Sequence, residues 1–337
     1  MSDAPADRNL ALDLARVTEA AAMAAARLQG RGDKEAVDQA AVDAMRAVSD
    51  TIDMDGVVVI GEGEKDEAPM LFDGEHIGNG NEPLMDVAVD PVDGTRLTAD
   101  GLPGALAVMA LSTRGTMYAP GRLVYMDKIA VGEEAAGSVD LDAPVEHNLR
   151  QVAKAKGKSV EDLTAIILNR PRNAPHIEAA RRLGARIRLI QDGDISAAIS
   201  TAVEDSGIDI LLGIGGSPEA VTAACALRCL GGDIQCRLWP RDDTERDYAR
   251  EAGLDLDSVI GMTDLVASDD VFFAATGVTS GELLEGVHFV PHGAETHTVV
   301  MRSRTGTIRF MTASHRFDRL SKITDAYAPV IDPNHAS

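Results

Sequence analysis

Ile208-Asp209-Ile210-Leu211-Leu212-Gly213-Ile214-Gly215-Gly216-Ser217-Pro218-Glu219 is the stretch on which the fold class turns. Ile208 to Gly213 reads as a buried strand, the glycines turn the chain, and Pro218 suits the first position of a helix reaching Leu230. Strand, glycine turn and helix together form the unit of an α/β protein. Working back along the chain, the alternation repeats: helix 195–203, strand 187–190, helix 175–183, strand 163–168 and helix 145–156. Towards the N-terminus the pattern changes. Two long helices are expected over 9–29 and 34–52, the second with Val37, Ala40, Ala41, Ala44, Met45 and Val48 at helical spacing. Strands follow at 57–60, 86–90, 106–112 and 123–131, the last two expected as antiparallel neighbours. The tail reads as strands 296–302 and 307–313 joined at Gly306. The whole suggests two lobes, 1–162 and 163–337, sharing a cleft.

Composition narrows the partners. The 337 residues carry 32 basic and 54 acidic side chains, a net charge of −22. Such a surface repels nucleic acid and anionic lipid, so neither is expected as a partner. It also repels a phosphorylated ligand, so a site for one needs local positive charge from cations, arginines or helix N-termini. No apolar run reaches the roughly 18–20 residues that span a bilayer. The opening Met1-Ser2-Asp3-Ala4-Pro5 lacks the basic stretch and apolar core of a signal peptide, so a cytoplasmic location is expected. Cys225, Cys229 and Cys236 suggest buried thiols rather than a disulfide framework or a zinc site.

Carboxylates stand where the expected strands end. Glu62 leaves one strand, in Gly61-Glu62-Gly63-Glu64; Asp90 and Asp93 leave the next, in Asp90-Pro91-Val92-Asp93-Gly94-Thr95. Strand ends in α/β folds open onto crevices. Acids meeting there repel unless cations hold them, and oxygen ligands suit hard Mg²⁺ or Mn²⁺. Thr95 offers a hydroxyl to orient a water, and Gly94 allows backbone to approach a phosphate. Read alone, each motif is also an ordinary turn. Both following β-branched strands, they favour a metal site built for phosphoryl transfer to water.

The string Ile60 to Met70, with Asp90 to Thr95, resembles the class II fructose-1,6-bisphosphatases of bacteria, within the lithium-sensitive phosphatase superfamily. The likeness runs from Asp33 to about Phe317. It implies a layered α/β/α/β/α sandwich and Mg²⁺- or Mn²⁺-dependent hydrolysis of a sugar bisphosphate. Metal ligands would fall on Asp38, Glu62, Asp90, Asp93 and Glu219, with Glu62, Asp90 and Thr95 catalytic. Substrate contacts would fall on Asp93, Gly94, Thr95, Tyr125, Arg170, Arg172, Asp192, Gly193, Asp194 and Gly216. Many class members carry Glu at the place of Asp93. Lobe 1–162 would then bind metal and lobe 163–337 substrate, and a homodimer or homotetramer is expected by analogy.

The residues have readings of their own. Asp38 falls on a helix whose polar side is ordinarily solvated. Arg170 and Arg172 can fork a phosphate from a strand end, or equally form surface ion pairs. Tyr125 reads as a packing residue. Asp192-Gly193-Asp194 is a turn whose acids can also hold sugar hydroxyls. Sedoheptulose bisphosphate is a second candidate substrate, and a sugar-phosphate-binding protein without turnover is the non-enzymatic alternative.

Overall fold

The computed structural model of the chain describes residues 9–63, 70–320, 327 and 330. Glu64, the end of the Gly-Glu-Gly-Glu string, and the rest of 64–69 lie outside them. Helix α1 (Ala11–Ala26) is alanine-rich and buried on nearly every side. Helix α2 (Lys34–Ser49) starts at Asp33, whose carboxylate accepts from the Ala36 N–H at 3.0 Å. It buries Val37, Ala41, Ala44, Met45 and Val48, most of the apolar stripe read from the sequence, and leaves Ala40 and Asp38 half-buried at its edge.

Four strands follow: β1 (Asp55–Ile60), β2 (His76–Ile77), β3 (Leu84–Asp93) and β4 (Leu106–Thr113), with short helix α3 (Thr95–Asp100) after β3. Strand β1 pairs parallel with β3, and β3 antiparallel with β4. The chain then leaves this sheet. Strand β5 (Tyr125–Val131), helix α4 (Val145–Ala155), β6 (Thr164–Leu168), α5 (Ala174–Arg182), β7 (Arg186–Ile190), α6 (Asp194–Ser200), β8 (Ile210–Gly216), α7 (Ser217–Leu230), β9 (Asp233–Leu238), α8 (Asp243–Glu251) and β10 (Ile260–Gly261) build a second sheet and its helices. Finally β11 (Phe272–Gly277), β12 (His288–Val290), β13 (Gly293–Arg302) and β14 (Thr307–Arg316) return to the first. The orders are β12-β13-β11-β4-β3-β1-β2, with β14 also on β13, and β10-β9-β5-β8-β6-β7.

The pairing expected between 106–112 and 123–131 is therefore corrected: β4 lies between β3 and β11, β5 between β9 and β8. Strand β4 is apolar on both faces. Leu106, Val108 and Ala110 face one core, and Ala107, Met109 and Leu111 another. Such a strand needs neighbours on both sides, and its sequence does not say which. The tail hairpin stands as expected, in unbroken register from Gly293↔Arg316 to Arg302↔Thr307.

Three cores stack the layers. Helices α1 and α2 cover the outer face of the first sheet. Helix α7 fills the middle, where Ala220, Val221, Ala224 and Cys225 meet Ile60, Val108 and Phe273 from one sheet and Met126, Leu211 and Ile234 from the other. Small side chains let a single helix layer serve both sheets. Helices α4 and α5 close the far side with Leu149, Val152 and Ile177. The result is an α/β/α/β/α sandwich. Cys225, Cys229 and Cys236 are unpaired and buried, and burial pushes their thiols up, those of Cys229 and Cys236 to about 12. Among the described residues no helix is long and apolar enough to cross a membrane.

Candidate active site

Asp90 and Asp93 stand three apart on one strand, a spacing that in a regular strand sends two side chains to opposite faces. A register shift against β4 between them removes that conflict. The Asp90 carboxylate accepts from the Val92 N–H at 3.1 Å, locking the turn. Gly94 then takes φ +93, a conformation that strains any side chain, and starts α3. Thr95 follows as its first residue, and its hydroxyl donates to the Val92 carbonyl at 3.1 Å. From α6, the Ser196 N–H reaches the Asp93 carboxylate at 3.4 Å, tying the two sheets' loops together.

These groups line a hollow of about 270 Å³ with Asp38, Glu62, Asp192 and Glu219. Glu62 is held at the end of β1 by its N–H to the Leu71 carbonyl, 2.9 Å. Glu219 lies in the first turn of α7, with its carboxylate folded over Gly216, where any Cβ would collide with it. All five residues expected to bind metal, together with Thr95, Gly94 and Asp192, thus share one cavity.

Its electrostatics are those of crowded acids. Burial pushes Glu62 up to about 8, with Asp38 and Glu219 adding repulsion. Glu219 rises to about 7, first from burial and then from Asp194. Burial also raises Asp90 and Asp93 well above the usual carboxylate range; Asp93 and Glu62 add to the first, Asp194 and Glu219 to the second. Asp38 and Asp192 shift upward too, mainly by burial.

The donor set is oxygen throughout, and Glu219 Oε2 is buried with no hydrogen-bond partner among the described residues. That chemistry fits a hard divalent cation rather than zinc. The acids line the walls rather than meet at a point: among the described residues no three Asp, Glu, His or Cys side chains are arranged to hold an ion as they stand.

The other expected contacts divide. Gly193 takes φ +82 to open α6, and Asp194 is buried just behind the hollow. Arg170 lies near enough to Asp192 to favour its ionised form. Arg172, Tyr125 and Gly216 do not line the hollow and form a separate group beside it. Tyr125 pairs with Gly216 across β5 and β8, and the Arg172 guanidinium lies 4.1 Å over the Tyr125 ring while Nε donates to the Ile214 carbonyl at 3.1 Å. Trp239 and Arg241 complete that group, at 6.2 Å and 6.0 Å from the same ring. Neither is marked by its local sequence. Lys128 is the other residue a sequence reading misses, although a lysine inside Met126-Asp127-Lys128-Ile129-Ala130-Val131 is itself a signal.

The chain matches the family model described as bacterial fructose-1,6-bisphosphatase, glpX-encoded, over residues 8–315. It belongs to that family. It is 43% identical over 331 residues to the Haemophilus influenzae protein named fructose-1,6-bisphosphatase class 2, covering 94% of this chain and 99% of that one. Against the Escherichia coli K12 protein named fructose-1,6-bisphosphatase 1 class 2 the identity is 44% over 326 residues, covering 93% and 96%. The family is one of phosphatases, in keeping with a hollow lined by acids and a threonine at the ends of β1 and β3.

Proposed function

We propose that this chain hydrolyses fructose 1,6-bisphosphate to fructose 6-phosphate and inorganic phosphate, with Mg²⁺ or Mn²⁺, as a gluconeogenic enzyme of the cytoplasm. The observation that carries the reading is the single hollow shared by Asp38, Glu62, Asp90, Asp93, Glu219 and Thr95 in a member of this family. The division at residue 162 belongs to the same proposal only as the origin of the lining: Asp38, Glu62, Asp90, Asp93 and Thr95 come from before it and Asp192 and Glu219 from after it, whereas the sheets divide elsewhere, with β5 in the second and β11 to β14 in the first.

When bound, a hard divalent cation supplies charge neutralisation and acidifies a water. The chain's own parts do the rest. The five carboxylates offer oxygen ligands on three elements, α2, β3 and α7, and on the loop after β1, so the fold rather than one loop sets their spacing. The Thr95 hydroxyl donates to Val92 O at 3.1 Å, which leaves its oxygen lone pairs to accept from a water. Gly94 leaves backbone open to a phosphate. Arg170 and Arg172 add positive charge on the second-sheet side, and the Tyr125, Trp239 and Arg241 group supplies a cationic, aromatic wall for the distal phosphate. The acidic surface and anionic substrate are reconciled in this way.

Phosphate release from fructose 1,6-bisphosphate, sedoheptulose 1,7-bisphosphate and inositol monophosphate, each with Mg²⁺ and with Mn²⁺, tests the reading. Release from the first, with sedoheptulose bisphosphate as an accepted second substrate, is expected. No release from the first with either ion, or full release by Thr95→Ala, overturns it. A dimer or tetramer is part of the proposal by analogy, and sedimentation measures it.

A further inference from the structure

Lys128 sits where a lysine is costly. It lies on β5 between Met126 and Ala130, on the face that meets the middle core, opposite Gly213 and Cys236 on the flanking strands, and its side chain is 3% exposed. Its ammonium donates closely to Asp194 Oδ2 and, at 3.0 Å, to the Gly216 carbonyl. A Cβ at Gly215 would strike the Asp194 carboxylate and come within 3.0 Å of Lys128 Nζ, so glycine there opens the path by which the lysine reaches both. Asp194 in turn raises Asp93 and Glu219 by its charge. One buried cation therefore stands at the rear wall of a hollow otherwise rich in acids.

A buried ion pair is seldom more stabilising than well-packed apolar side chains of similar size. Methionine at 128 would pack among Met126, Ala130 and Cys236. Stability therefore gives no reason for a lysine here, but the sorting of the acids does. A carboxylate committed to an ammonium is a poor ligand for a further cation, whereas Glu219, with its free Oε2, is a ready one.

We propose that Lys128 is a positioning residue: it holds Asp194 out of the metal-binding set, keeping it as a fixed hydrogen-bond acceptor for the sugar. This rests on the function proposed above. Lys128 touches no reacting atom; it acts through Asp194.

The test uses Lys128→Met, which keeps length and removes charge, and the double variant Lys128→Met/Asp194→Asn, which leaves no unpaired buried charge. Bound Mn²⁺ is counted by electron paramagnetic resonance of the free ion, alongside melting of the metal-free protein and the split between KM and kcat. Lys128→Met should bind Mn²⁺ about tenfold tighter or take up one more ion, as Asp194 becomes a ligand, and should raise KM about tenfold with a smaller change in kcat. The double variant should bind Mn²⁺ within about twofold of the unaltered chain, since Asp194 is no ligand there. Wild-type Mn²⁺ affinity and KM in Lys128→Met would overturn the inference. If that variant does not fold, the double variant decides alone: a tenfold or larger loss of Mn²⁺ affinity would make Asp194 a metal ligand and overturn it. Failure of the unaltered chain to release phosphate sinks the proposed function instead, and the Mn²⁺ titrations still read Lys128.

Discussion

The two ends of β8 hold buried carboxylates in opposite circumstances. At its start Asp209, its side chain 2% exposed, accepts from Lys158 at 2.7 Å, Lys156 at 3.0 Å and the Thr164 N–H at 2.8 Å. Burial pushes this carboxyl up, but hydrogen bonds from Lys158, Thr164 and Lys156 outweigh it and hold it below its ordinary value. About 20 Å away, past Gly216, Glu219 and its neighbours face one another and lie above theirs. Both places bury acids beside lysine. At the first the protein answers every charge, and the acid is structural. At the second it leaves charge unanswered, as a site that takes up cations must.

That contrast can be broken in several places. The largest effect belongs to the hollow: Asp90→Ala and Thr95→Ala should each lower kcat by about 10²–10³-fold or more. Metal-free melting temperatures should change little, since Asp90→Ala loses the Val92 hydrogen bond while relieving the crowding of acids; thermal melts beside phosphate release check both. At the other end Asp209→Ala should cost about 2 kcal/mol through its lost hydrogen bonds, since Lys158 is exposed and Lys156 keeps Glu134 at 3.6 Å, seen as a lower urea midpoint, with kcat unchanged. Because the Asp209 pKa is depressed, its contribution is present above the unfolded value near 4 and is lost as pH falls through the folded one.

Glu19 tests the reverse sign away from the hollow. It is 8% exposed on α1, and burial raises it to about 7 against hydrogen bonds with Thr296 and Thr298. A raised carboxylate favours folding while protonated. Its contribution is therefore full below about 4.5 and is lost as pH climbs through about 7, on the order of 3 kcal/mol in all. Glu19→Gln should flatten the fall in stability between those values, followed by denaturation at a series of pH. The smallest effect is stoichiometric. With Glu62 raised to about 8, Glu219 to about 7, and Asp90 and Asp93 raised as well, Mn²⁺ binding at pH 7 should release at least about one proton per chain. Calorimetry in buffers of different ionisation enthalpy counts it, and no release would mean that these acids are not the ligands.

Much of this arrangement was legible in the residues. Helices α1, α2 and α7 declare themselves by alanine content, spacing and caps, and Glu62, Asp90 and Asp93 by standing at the ends of β-branched runs. Asp38 and Glu219 are different. A helical acid is ordinarily solvated, and only the resemblance drew these two in. The β3 irregularity that turns Asp90 and Asp93 to one side leaves no mark beyond the Pro-Val between them. Strand β11, Phe272 to Gly277, is buried throughout and so has no alternation to read. The partners of β4 and β5 are fixed by tertiary packing of two-faced strands. Lys128 was missed, although it stands in an apolar strand, and its meaning needed Asp194 and Gly216 brought to it from 66 and 88 residues away.

An anomalous difference map from crystals grown with Mn²⁺ measures the heart of the matter. The expected result is density inside the hollow, within ligating distance of Glu219 and Asp90, with Asp194 still turned to Lys128. Manganese bound only elsewhere on the acidic surface, with these carboxylates left facing water, would contradict it.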